Sequence, residues 1–72
     1  MVEAREIREW TNEEIDQRIE EAQRELFTLR RQLDLGRLED TNQVQRVKRD
    51  LARMKTILRE RELIAAMREE AR

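Results

Sequence analysis

Seventy-two residues allow one small domain, and a chain this short buries only about 60 % of its unfolded surface, so a self-sufficient core is marginal. Charged residues make up 46 % of it, 16 basic against 17 acidic, for a net charge of -1, and Pro, Cys, His and Tyr are absent. That composition excludes disulfides, thiolate chemistry, ordinary zinc sites and nucleophile–histidine pairs. No apolar run approaches the length of a membrane span, and residues 1–6 lack the apolar core of a secretory signal, so a soluble intracellular protein is expected. Ala, Glu, Lys, Leu and Arg supply about 60 % of the residues, the bias of long helices.

In chain order, residues 1–10 form an N-terminal segment in which a short helical turn would carry Ile7. The first long helix is predicted over 11–35. Thr11-Asn12-Glu13-Glu14 fits a capping box, and Trp10 and Ile15 stand at the positions of a hydrophobic staple. Its apolar residues are Ile15, Ile19, Ala22, Leu26, Leu29 and Leu33, stepping by four and three along one narrow seam. Residues 36–41 form the turn, with Gly36 suited to the left-handed conformation that ends a helix. A second long helix is predicted over 42–72, with N-caps competing within Asp40-Thr41-Asn42. Its seam is Val44, Val47, Leu51, Met54 and Leu58, and it breaks at Arg61, where an apolar residue is due. One short connection between two such helices predicts an all-α fold: an antiparallel two-helix hairpin with a short N-terminal helical segment and a C-terminal helical extension. A hairpin this thin encloses little volume, so a third surface is expected to complete it.

The near-neutral total hides a segregation. Residues 1–27 hold 4 basic and 9 acidic side chains, residues 28–59 hold 9 and 4, and residues 60–72 hold 3 and 4. Opposite the second seam lie Asn42, Arg46, Arg49, Arg53 and Thr56, and Lys48, Lys55 and Arg59 occupy the adjoining flank. Arg30, Arg31 and Arg37 add the same sign near the turn, and Gln32, Asn42 and Thr56 offer neutral hydrogen bonds. Arginine outnumbers lysine 14 to 2, and its planar fork suits phosphate. Such a face is either solvated or binds nucleic acid; with Trp10 and Phe27 the sole aromatics, a stacking platform for single strands is missing.

Phe27 lies well off the first seam. Either the N-terminal segment, with Ile7, folds over it, or it anchors a protein neighbour. Phe27, Ile7 and Trp10 are the candidate protein contacts, Trp10 having the staple as its simpler role. Nothing shapes a metal site around the acidic pairs, and no cofactor or small-molecule substrate is expected.

Residues 42–58, with Lys48-Arg49-Asp50-Leu51-Ala52-Arg53-Met54 and Thr56 at their centre, resemble the signature of the bacterial large-subunit ribosomal protein 29 family. Glu6-Ile7-Arg8, the stretch Glu25-Leu26-Phe27-Thr28-Leu29-Arg30-Arg31-Gln32, and Gly36-Arg37-Leu38 match further family pieces in order, so that the resemblance covers roughly residues 3–60. The resemblance implies a helical hairpin and a structural role on the large ribosomal subunit. It implies binding to large-subunit ribosomal RNA at the rim of the polypeptide exit tunnel, beside ribosomal protein 23, where chaperones and targeting factors dock. Carried over residue by residue, it implies RNA contacts at Arg46, Lys48, Arg49, Arg53 and Thr56, with Arg30, Gln32 and Arg37 following. The acidic first helix departs from the family's usual basic character, and residues 61–72 extend past its usual end.

The competing reading is a homodimeric coiled-coil adaptor whose seams pair between chains. Gly36 and the cap signals after it break the heptad register and oppose it. Catalysis is not expected from a chain with no histidine, cysteine, tyrosine or glycine-rich phosphate loop.

Overall fold

The computed structural model describes residues 2–71. It contains α1 (Ala4–Ile7), α2 (Asn12–Asp34) and α3 (Asn42–Glu70), with no strand among the described residues. The long helices pack side by side as an antiparallel hairpin, α1 lies against α3, and the molecule measures 55 × 18 × 15 Å.

The helix ends follow from local chemistry. Thr11 caps α2 by accepting the Glu14 amide on its Oγ1 at 3.1 Å, which is the threonine half of the expected box. At the other end Gly36 adopts φ +69°, with the Arg37 amide donating to the Gln32 carbonyl at 2.8 Å and the Gly36 amide to Leu33 at 3.0 Å. That pair of bonds is a Schellman motif, and it satisfies two carbonyls that the helix end would leave open. Asp40 prevails among the competing caps of α3: its Oδ1 accepts the Asn42 amide at 3.0 Å, while Thr41 is already helical and makes no side-chain cap.

The two seams meet in two clusters. Leu26 and Leu29 pack with Val44 and Val47 near the turn, beside Leu38 and Leu51. Ile7, Ile15, Met54 and Ile57 form the second cluster at the open end, covered by Val2, Trp10, Ile19 and Leu58, and Ala22 touches both. Ile7 and Ile15 are completely buried, each worth about 1.5–3 kcal/mol of transfer free energy.

Two residues depart from the predicted seam. Leu33 is exposed, because α3 begins its core contacts at Val44 and no helix faces α2 beyond that level. Ile57, which the spacing leaves outside the seam, is buried, because α1 covers a second flank of α3 there. The third surface expected to complete the hairpin is therefore supplied in part by the chain's own N-terminal segment.

Polar clamps hold that segment. The Val2 amide donates to Asp50 Oδ1 at 3.0 Å, and Arg53 Nη1 donates to the Val2 carbonyl at 3.0 Å. Arg61 donates to the Ile7 and Arg8 carbonyls and to Asn12 Oδ1, at 3.4, 3.0 and 2.8 Å. The arginine that interrupts the apolar seam thus ties the α1–α2 junction to α3. Beyond it, residues 62–70 of α3 run past the start of α2 for about 13 Å, with Leu63, Ile64 and Met67 exposed.

Candidate nucleic-acid interface

Side chains on α3 advance by about 100° per residue. The seam and the α1-facing flank occupy one side, leaving an outer arc of Gln45, Lys48, Arg49, Ala52, Lys55, Thr56 and Arg59. All seven are exposed, and none is acidic. The arc spans about 20 Å along the helix axis. By helical projection Arg30 and Phe27 of α2 fall on the flank opposite Glu21 and Glu25, and Asp16, Glu20 and Asp34 share that flank with them. The acidic residues Glu14, Glu21 and Glu25 fall on the opposite side, with Asp50.

The structure divides the sequence-predicted RNA set. Lys48, Arg49, Lys55, Thr56 and Arg59 come together on the outer arc. Arg30, Arg31, Gln32, Arg37 and Asn42 are exposed around the turn end, a second group. Arg46 also lies there, but it is paired with Asp40 at 2.7 Å. Arg53 is half-buried and holds the Val2 carbonyl, so part of its hydrogen-bonding capacity is spent within the chain. The predicted stripe of Arg46, Arg49 and Arg53 is therefore not a single free surface: Val2, ahead of α1, and Asp40 in the turn engage its two outer members.

The candidate protein contacts divide as well. Ile7 is 0 % exposed in the chain's own core, so it is unavailable to a neighbour and does not cover Phe27. Phe27 is 69 % exposed. Trp10 packs on the cluster containing Ile15, as a staple residue does, and carries the Arg18 guanidinium 4.2 Å from its ring centroid.

Sequence reasoning missed the roles of Asp50 and Arg61. Asp50, an acid inside a basic helix, accepts the Val2 amide. Arg61 in an apolar register was the visible signal for the second clamp.

This is an all-helical hairpin protein whose long outer helix presents an exposed arc of cations with no acid in it. The chain matches the model of the family described as Ribosomal L29 protein over residues 5–61, and it belongs to that family. It is 56 % identical over 62 residues to the large ribosomal subunit protein uL29 of Geobacillus stearothermophilus, covering 86 % of this chain and 94 % of that one. The uL29 of Thermotoga petrophila is 52 % identical over 60 residues, with 83 % and 91 % covered, and that of Natranaerobius thermophilus 50 % over 60, with 83 % and 92 %. The family is one of structural, non-enzymatic proteins of the large ribosomal subunit in the bacterial cytoplasm.

Proposed function

We propose that this chain is held on the large ribosomal subunit by binding ribosomal RNA through the outer arc of α3, with the arginines at the turn end as a second contact. The observation that carries this reading is the arc itself: Lys48, Arg49, Lys55 and Arg59 with Thr56 on one exposed helical face that holds no acid. Cations at this density lower phosphate–phosphate repulsion in a packed RNA fold, and their binding releases counterions. A rigid helix with little aromatic surface suits RNA read by shape, phosphate and 2′-hydroxyl rather than by splayed bases. The location implied by the resemblance, at the rim of the exit tunnel beside ribosomal protein 23 and near docking chaperones and targeting factors, belongs to the same proposal. Phe27 and the acidic side of α2 are then the surfaces left for protein neighbours.

Binding of a large-subunit ribosomal RNA transcript across a salt series tests the reading. The wild-type chain should bind with an affinity that falls as salt rises, and Lys48→Glu/Arg49→Glu/Lys55→Glu should bind far more weakly and with a shallower salt dependence. Equal binding by the triple variant, with helicity intact, would overturn the assignment of this face. The seams are consumed within one chain, between α2 and α3, so the structure lends no support to the coiled-coil adaptor.

A further inference from the structure

The family match ends at residue 61, and α3 runs on from there to Glu70. Its apolar register does not stop at Arg61 but moves to another flank of the helix. Ile57, Glu60, Ile64 and Met67 step by three, four and three, on a line roughly 140° round the helix from the seam packed on α2. Ile57, at the start of that line, is buried in the cluster that holds Ile7 of α1. Beyond α1 the line is uncovered: Leu63, Ile64 and Met67 are 54, 49 and 67 % exposed. Arg61 bonds the α1–α2 junction, and Glu62 and Glu69 fall on the far side of the helix. The charges bordering the apolar stripe are therefore Arg59, Glu60, Arg68 and Glu70. Glu60 reaches Arg8 only loosely, at 3.8 Å.

Those four charges run base, acid, base, acid, an order that complements itself when reversed. We propose that the stripe is an interface for a second copy of this chain, the two α3 extensions crossing antiparallel about a two-fold axis at Ile64. Helix register then sets Glu60 opposite the partner's Arg68 and Arg59 opposite the partner's Glu70. Each pair occurs twice, with Leu63, Ile64 and Met67 of both copies between them. A parallel pairing would set base against base and acid against acid, so the charges select the antiparallel one. The contact uses a face outside the α2–α3 seams and is independent of the RNA-binding reading. The overlap of residues 59–70 runs about 17 Å. A two-helix contact that short buries less than the roughly 1,200 Å² at which stable interfaces begin, so the pair exchanges rapidly, with a dissociation constant on the order of 100 μM.

Sedimentation equilibrium of the full chain, free of RNA, tests this over a concentration series reaching about 1 mM, with helix content checked for each variant. The average mass of wild type should rise from one chain toward two, and Ile64→Glu/Met67→Glu should remain a monomer throughout. Glu60→Arg alone and Arg68→Glu alone should each weaken pairing about tenfold, because two attractive pairs become repulsive at once. An equimolar mixture of those two variants should pair again, since every contact in the mixed dimer sets acid against base. A wild type that stays monomeric, a mixture no more associated than its components, or association that survives Ile64→Glu/Met67→Glu would each overturn the proposal. So would a monomeric wild type whose stripe crosslinks to a different protein on the assembled subunit, which would give the surface to that partner.

Discussion

Replacing Ile7 by alanine probes the least obvious part of the fold, the docking of a four-residue helix. Ile7 is wholly buried and packs with Ile15, Met54 and Ile57. Truncating such a residue removes transfer free energy and leaves a cavity, together costing about 2–5 kcal/mol. A folded chain of 72 residues has a total stability of roughly 4–11 kcal/mol at the usual 0.05–0.15 kcal/mol per residue. One side chain on the N-terminal segment thus carries about a fifth or more of what holds the hairpin together. At about 4–8 °C per kcal/mol for a domain of this size, Ile7→Ala should lower the melting temperature by on the order of 8–40 °C. Circular dichroism follows the helices, and the fluorescence of Trp10, the sole tryptophan, follows the open end of the core. Phe27→Ala serves as the control, because an exposed side chain should leave the melt within about 0.5 kcal/mol of wild type. An Ile7→Ala melt indistinguishable from that control would refute the packing of α1 on the hairpin.

Further outcomes follow from single residues. Gly36→Ala meets no atom within 4 Å, so its cost is purely the left-handed backbone, about 1–2 kcal/mol by thermal melt. Arg61→Leu would satisfy the apolar register but strip three hydrogen bonds from the α1–α2 junction, and hydrogen exchange at Arg8–Trp10 should quicken while the turn-end core stays protected. Phe27→Ala, neutral to stability, should reduce crosslinking of α2 to a neighbouring protein on the assembled subunit.

Much of this fold was legible because its determinants are local. The Thr11 cap, the Gly36 terminator and the four-three seams each act within a few residues, and each appears where the spacing put it, Leu33 at the end of the first seam excepted. What stayed hidden depends on contacts distant in sequence. Ile57 is buried by α1, some fifty residues away, and no periodicity in α3 announces that. Arg53 and Arg49 look alike in the sequence, yet one holds the Val2 carbonyl and the other stands free on the outer arc. Charge counting therefore singled out α3 but could not separate the cations that bond within the chain from those that stand exposed.

The central claim is that the exposed arc of α3 anchors this chain to the large subunit. Its most direct test is the occupancy of Lys48→Glu/Arg49→Glu/Lys55→Glu in large subunits purified through a high-salt wash, from cells in which the variant is the only copy. The wild-type chain should survive the wash and the variant should be lost from the particle. A variant that remains folded and is recovered at wild-type occupancy would contradict the account.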